Sequence, residues 1–288
     1  MELFFQKYKF LLVPAVLAVF LFGGLFFYYQ RSHPKKVAIP PRPEVTLTII
    51  PGWNLRQVAD YLVEKGLASS TQAVYDITGE PTKKFDTKEQ LNFWPETVVT
   101  HMKPYGLSME GYLAPETIRV FADADLADGV IRKFELEREI ELEKILPDIQ
   151  AADIEGTKKT LHQILTMASI VEKEVKHDSD RAIVADILWR RLQKGWALQV
   201  DSSVHYAVDK TGNVYTTAKD RQVDSAWNTY KYPGLPPGPI CNPSIESIKA
   251  AIYPVKNDYW YFLSDTDGNM HYAKTLDEHN QNKYKYLR

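Results

Sequence analysis

LHQILTMASIVEKEV, residues 161–175, sets Ile164, Met167, Ala168, Val171 and Val175 three and four residues apart, the spacing of a helix with one face in a core. It ends on Glu172-Lys173-Glu174, two carboxylates at the rim of an otherwise apolar pattern. A carboxyl beside a buried face is partly desolvated, which disfavours its charged form and raises its pKa, as a general acid working near neutral pH requires. The same pattern also fits two glutamates on solvated flanks. Stepping 100° per residue from Val171 puts Glu172 on one edge of the apolar face and Glu174 on the other, so helix geometry does not choose between them.

Downstream, Asp180 is placed to cap a second helix with Ile183, Val184, Ile187, Leu188 and Leu192 inward and Gly195 at its end. The two helices frame Glu174 and His177. Residues 198–208 follow, carrying Gln199, Asp201, Ser202 and Tyr206. Asn228-Thr229-Tyr230 then leads into Gly234-Leu235-Pro236-Pro237-Gly238-Pro239, a loop with few accessible conformations and suited to the wall of a cleft. Asn242-Pro243 starts a helix that must end before Pro254. Residues 259–263, the turn 265–269 and residues 270–273 form a hairpin, followed by a short helix boxed by Thr275 and Glu278.

Upstream, residues 122–146 carry Glu–Lys and Glu–Arg partners close in sequence and read as a charged helix or helix pair with a solvated scaffold face. Glu110-Gly111-Tyr112-Leu113-Ala114-Pro115-Glu116-Thr117 sets two carboxylates and a tyrosine around a glycine and a proline that force a defined loop. Residues 80–111 have no clean period and read as irregular connection. Before them, residues 45–50 alternate, Pro51-Gly52 marks a turn, and Asn54 caps a helix with Leu55, Val58, Ala59, Leu62 and Val63 on one face, closed by Gly66. This strand-turn-helix unit, running to about Gly79, suits a binding module and a packing element equally.

Pro34, Pro40, Pro41 and Pro43, with Lys35, Lys36 and Arg42, make residues 30–44 a stiff, extended linker. Residues 10–29 contain no charge and as a helix would be about 30 Å long, the thickness of a bilayer core. They read as an uncleaved membrane span, since a cleaved signal has a shorter apolar core and a small-residue cleavage site. Lys7 and Lys9 precede the span while Arg31, Lys35, Lys36 and Arg42 follow it. Counted alone these charges oppose an external carboxyl-terminal domain, although long domains are exported despite nearby charge. The expected fold is α+β: a cytoplasmic amino terminus (1–9), a transmembrane helix (10–29), the linker (30–44), the small unit with its connection (45–105), and a mixed helical domain ending in a β-hairpin (106–288).

Composition excludes several classes. The 288 residues carry a formal charge of -2 and a pI near 6.4, which gives no electrostatic footprint for nucleic acid. Cys241 is the single cysteine; it forms no intramolecular disulfide, and in a Pro-rich loop with no partnered His it reads as a structural thiol. The seven histidines are scattered without a His-Glu-x-x-His, so no metal is expected. Walker A, Gly-x-Gly-x-x-Gly and Gly-x-Ser-x-Gly patterns are absent, and no cofactor is expected.

The run 167–191, the Asp201 segment, Asn228-Thr229-Tyr230, the loop 234–238 and Asn242-Pro243, in this order, resemble the endolytic murein transglycosylases of the MltG (YceG-like) family, from about Val45 to the carboxyl terminus. The resemblance implies that residues 49–67 look like a LysM-like subdomain, with one such unit where longer members have additional sequence before it, and that Glu110-Gly111-Tyr112-Leu113 opens the catalytic region. It puts the catalytic acid on Glu174, with Glu172, Gln199, Asp201, Asn228, Tyr230, Glu110 and Tyr112 as substrate-binding or supporting residues, though each also suits packing or a turn. One carboxyl suffices for lytic chemistry, protonating the glycosidic oxygen and then taking the proton of the muramic C6 hydroxyl, which closes on the anomeric carbon. The implied partners are peptidoglycan glycan strands, the plasma membrane through one span, and peptidoglycan synthases of the elongation machinery, with the catalytic domain outside. Two alternatives stay open: a non-catalytic peptidoglycan-binding scaffold of the same fold, and a hydrolytic glycosidase using Asp201 as its second carboxylate.

Overall fold

The computed structural model describes residues 2–33, 41–83, 102–210 and 216–287, with side chains from residue 17 onward. The chain divides into two compact units, residues 1–42 and 43–288. The first is one helix, α1 (Glu2–Ser32), whose large apolar side chains from Leu17 to Tyr29 are exposed. Among the described residues no helix is long and apolar enough to cross a membrane. The side chains at the start of the span expected over 10–29, and residues 34–40 of the linker expected over 30–44, lie outside the described residues, as does most of the irregular connection expected over 80–111.

The second unit begins with β1 (Glu44–Thr48), the Pro51-Gly52 turn and α2 (Leu55–Glu64). Gly52 has φ +84°, a value that side chains with a Cβ rarely take. Asn54 accepts the Gln57 N–H while the Gln57 side chain returns to the Asn54 N–H, satisfying two orphan donors of the first turn. Leu55, Val58, Ala59 and Leu62 are buried as the spacing predicts. Ser70 caps α3 (Thr71–Thr78) with one bond, its hydroxyl accepting from Ala73 N–H.

β1 pairs antiparallel with β2 (Thr117–Phe121), Glu44 opposite Phe121 and Thr48 opposite Thr117. That ladder crosses the 105/106 line. A π-type turn (Leu126–Ile131) then runs into α4 (Arg132–Glu143). A solvated face forms through Lys133, Leu136, Ile140 and Glu143, but the opposite face buries charged as well as apolar residues: Phe134, Glu135, Arg138, Glu139 and Leu142. Arg138, with no exposed surface, donates to Leu113 O at 3.1 Å and Pro243 O at 2.7 Å and pairs with Glu141 at 2.8 Å. Its Nε is buried without a hydrogen-bond partner among the described residues, but with both Nη groups bonded a guanidinium can occupy a core position that charge patterning alone assigns to water.

After α5 (Leu146–Ala151) and the short pair β3 (Asp153–Ile154) and β4 (Thr157–Lys158), α6 (Leu161–Glu174) runs through the centre, opened by a Thr160–Gln163 capping box. Every residue from Leu161 to Val171 except Gln163 is buried, so α6 is wrapped on most sides and not on one face alone. Its polar members are bonded internally: Thr166 Oγ donates to His162 O and Ser169 Oγ to Thr166 O, both at 2.7 Å. The helices α7 (Asp178–Gln193), α8 (Asp201–Ala207) and α9 (Ile245–Ile252) pack on it. Asp180 does not cap α7; His177 is the N-cap residue, and Asp180 accepts the Tyr272 hydroxyl at 2.6 Å. The chain closes as expected with the hairpin β5 (Tyr261–Ser264) and β6 (Met270–Ala273) and helix α10 (Leu276–Tyr286), boxed by Thr275 and Glu278.

Candidate functional site

The last turn of α6 separates the two glutamates that periodicity left equivalent. Glu174 Oε1 accepts from the Ser202 hydroxyl at 2.6 Å and the Ser202 N–H at 3.3 Å. Oε2 has no protein donor among the described residues. Burial raises the Glu174 carboxyl above its ordinary range, opposed by the two Ser202 bonds, reinforced by the Asp201 charge and opposed again by Arg191. The negative end of the α6 dipole acts in the raising direction too. A half-buried acid with one oxygen held and one oxygen open can give up a proton and take it back.

Glu172 is held through one oxygen, and by a cation. Its Oε2 accepts from Arg181 Nη1 at 2.6 Å, the Ser244 N–H at 3.0 Å and the Ser244 hydroxyl at 2.5 Å. Burial alone would raise this carboxyl, but the bonds from Ser244 and Arg181 hold it below its ordinary value. Ser244 is the N-cap of α9 and its Oγ accepts from Ser247 N–H; Arg181 also donates to the Ser247 hydroxyl. Glu172 therefore favours its charged form and clamps α6, α7 and α9. Between the two, exposed Lys173 reaches back to Gly52 O at 3.4 Å.

The segment before α8 forms the next wall. Gln199 is exposed with a left-handed backbone, φ +53°, unusual for a residue with a side chain. Asp201 accepts the Tyr230 hydroxyl at 2.6 Å, and Arg221 lies 3.7 Å from the same oxygen and 4.9 Å from the centre of the Tyr230 ring. Burial, then the bond to Asp201, push the Tyr230 hydroxyl up, so it stays a donor. Thr229 binds this wall to the loop through Val200 N–H, at 3.1 Å, and the Ser203 hydroxyl, at 2.8 Å. Asn228, fully buried, gives its amide hydrogens to Arg221 O and Val223 O and accepts from Tyr230 N–H; its polar atoms shape the loop.

Glu110 and Tyr112 sit deeper. Glu110 is 2 % exposed; both its oxygens face the Leu55 N–H, at 3.1 and 3.0 Å, and Oε2 accepts the Tyr206 hydroxyl at 3.0 Å. It links the start of α2 to α8, and burial pushes it up to about 7 against those bonds. Tyr112 meets His162 Nδ1 at 2.9 Å, and His162 Nε2 meets Pro237 O at 2.7 Å. A carbonyl only accepts, so Nε2 carries the hydrogen and Nδ1 accepts from Tyr112; burial lowers the His162 pKa, keeping the ring neutral. Gly111, at φ +84°, lies where a Cβ would come within 2.6 Å of Pro239, so the Pro-rich loop closes on a glycine. Asn242 ties three segments: Leu113 N–H donates to its Oδ1 at 3.1 Å, its Nδ2 to Trp53 O at 3.1 Å, and Gly52 N–H to its carbonyl at 2.9 Å.

The structure thus brings Glu174, Asp201, Tyr230 and Gln199 to one region and places Glu172, Glu110, Tyr112 and Asn228 in the frame behind it. Sequence reasoning assigned no role to Ser202, Arg181 or Arg191. The arginines had a signal: Arg181, Val184, Leu188 and Arg191 share one face of α7, and a basic residue on an inward stripe implies a buried guanidinium with backbone or carboxylate partners. Among the described residues no cluster of His, Cys, Asp or Glu could hold a metal ion, and Cys241 is a buried free thiol that burial pushes well up.

The pattern that defines the YceG-like family matches residues 32–285. The chain is 34% identical over 244 residues to the endolytic murein transglycosylase of Bacillus subtilis, covering 84% of this chain and 65% of that protein. It is 31% identical over 251 residues to the endolytic murein transglycosylase of Streptococcus pneumoniae, covering 84% and 44% respectively. It therefore spans less than two thirds of either relative's length. A crystal structure of a YceG-like protein from Listeria monocytogenes superposes with a TM-score of 0.70 at 33% identity, covering 84% of this chain and 76% of that one.

Proposed function

This chain belongs to the YceG-like family, and from that premise we propose that it is an endolytic lytic transglycosylase cutting the MurNAc–GlcNAc bond within peptidoglycan strands, with Glu174 as its acid and base. The observation that carries the reading is the contrast within Glu172-Lys173-Glu174. Burial raises Glu174, whose carboxyl is bonded by the neutral Ser202, whereas the bonds from Ser244 and the Arg181 cation hold Glu172 below its ordinary value. Protonated Glu174 gives its proton to the glycosidic oxygen as the bond to the anomeric carbon breaks. The resulting carboxylate takes the proton of the muramic C6 hydroxyl, whose oxygen bonds the same carbon. A 1,6-anhydro end forms, Glu174 regains its proton, and no water enters. Asp201 and Tyr230, already hydrogen-bonded to each other, and exposed Gln199 are the polar groups for sugar hydroxyls and N-acetyl groups.

Residues 10–29 are the membrane anchor in this reading, residues 49–67 the LysM-like unit, and residues 106–288 carry the catalytic groups outside the plasma membrane, where strands leaving a synthase are cut and their elongation ends. Digestion of purified glycan by the full chain in heavy-oxygen water tests the chemistry. Products one water lighter than a reducing muropeptide, free of label, are expected, and none from Glu174→Gln; labelled reducing ends would make this a hydrolase with Asp201 as second carboxylate. Protease added to intact spheroplasts tests the topology: digestion of the carboxyl-terminal unit is expected, and its protection refutes an external site.

A further inference from the structure

Trp196, in the turn between α7 and α8, and Trp260, just before β5, form an indole pair that the reaction above does not use. Trp196 is 44% exposed, and its ring centre lies 5.0 Å from that of half-buried Trp260 at an angle of 40°. Both are held from behind. The Trp196 N–H donates to Arg191 O at 2.8 Å, Arg191 donates to Trp260 O from Nε at 2.9 Å and Nη2 at 2.6 Å, and the Arg190 guanidinium lies 4.6 Å from the Trp260 ring centre.

The pair is continuous with the site. Arg191 also donates from Nη1 to Leu198 O at 2.7 Å, and its charge acts on Glu174. The Arg191 guanidinium therefore ties the backbone at Trp260 to the backbone that leads into Gln199, Asp201 and Ser202, and the Arg191 carbonyl holds the backbone of Trp196. An extended chain covers at most ~3.6 Å per residue, so Trp196 lies within about 18 Å of Asp201. Single exposed aromatics are ordinary. Two indoles fixed at an angle, with guanidinium groups on one side and the exposed Gln199 three residues away, offer apolar faces with a polar edge, the complement of a pyranose with its C–H face and rim of hydroxyls.

We propose that Trp196 and Trp260 form a saccharide subsite that stacks a ring of the glycan strand remote from the bond at Glu174. The inference rests on the transglycosylase reading for its role: an enzyme that cuts inside strands holds the chain away from the cleaved bond, and binding energy from a remote ring aligns the reacting one.

The test uses the full chain as Glu174→Gln, which stops turnover, titrated with soluble, peptide-free peptidoglycan oligosaccharides and followed by tryptophan fluorescence. Adding Trp196→Ala is expected to weaken binding about tenfold, or about 1.4 kcal/mol, while Trp196→Phe, which keeps a stacking face, recovers most of it. An unchanged Kd in a folded Trp196→Ala chain overturns the proposal. So does retained oligosaccharide binding with lost binding to phosphatidylglycerol vesicles, which would give the pair to the bilayer surface. Should the alanine variant not fold, acrylamide quenching of the parent decides: oligosaccharide is expected to protect the exposed indole, and no protection overturns the subsite. Trp196-dependent binding by a wild-type chain that cleaves no glycan would leave the subsite standing and remove the transglycosylase reading.

Discussion

A carboxyl at the end of a buried helix is a reluctant anion, and at Glu174 the neighbours set how reluctant. The two Ser202 bonds favour the charged form and Asp201 opposes it, so substitutions at adjacent positions should move the same titration in opposite directions. A general acid acts in its protonated form, so the alkaline limb of kcat/KM follows the Glu174 pKa. Ser202→Ala removes the hydroxyl bond to the anion and is expected to shift that limb to higher pH; Asp201→Asn removes a like charge and shifts it lower. A pH-rate profile of the two variants beside wild type checks both signs, and movement in the same direction would contradict the assignment of the limb to Glu174. The choice between Glu172 and Glu174 was not legible in the helix period, because what separates them is supplied from afar. Arg181 is one turn into the next helix, and Ser244 caps a helix seventy-two residues later.

Elements with local signals could be read directly. Asn54 and the Thr275–Glu278 box follow from residues a few positions apart, and the chain obeys them; α9 starts two residues beyond Asn242-Pro243, with Ser244 as its N-cap. Two expectations failed where tertiary contacts outweigh local pattern. Asp180 meets Tyr272 from the hairpin in place of capping α7, and Arg138 turns a charged stripe of α4 into a core contact by bonding Leu113 O and Pro243 O. The joint of α6, α7 and α9 has the same character. Glu172 pairs with Arg181, whose side chain is 10% exposed, and holds the cap of α9, so its removal leaves that guanidinium, among the described carboxylates, only the largely exposed Asp178, 2.9 Å away, and a loosened helix start. Glu172→Ala is expected to cost about 3–5 kcal/mol, the range for breaking one side of a buried pair, read as a fall in the urea midpoint. A loss under about 1 kcal/mol, typical of a solvated surface pair, would show that the clamp is open in solution.

At the scale of the whole molecule, the strand-turn-helix unit and the helices around Glu174 share one compact body, residues 43–288. The sequence suggested a division at 105/106 because the pattern breaks down over 80–111; the ties across it come from residues far apart, the β1–β2 ladder, Asn242 and Glu110. Glu110 makes that tie sensitive to pH. Its carboxyl faces Leu55 N–H and Tyr206 within the body, with Arg56 and Lys173 as the nearby cations, and burial still pushes it to about 7 from an ordinary 4.5. Between those values the folded chain holds a proton that the unfolded chain has released, so unfolding is opposed most strongly below the lower value. Stability from this group is expected to fall as pH rises from about 4.5 to about 7 and to level off above, by on the order of 3 kcal/mol in total. Glu110→Gln cannot ionise and keeps an oxygen for Leu55 N–H, so its stability should lack that decline and exceed wild type at pH 8 relative to pH 5. Urea midpoints of both chains at the two pH values measure the difference directly. Parallel slopes would mean that Glu110 is ionised throughout, and that Arg56, Lys173 and the two hydrogen bonds outweigh the cost of burying its charge.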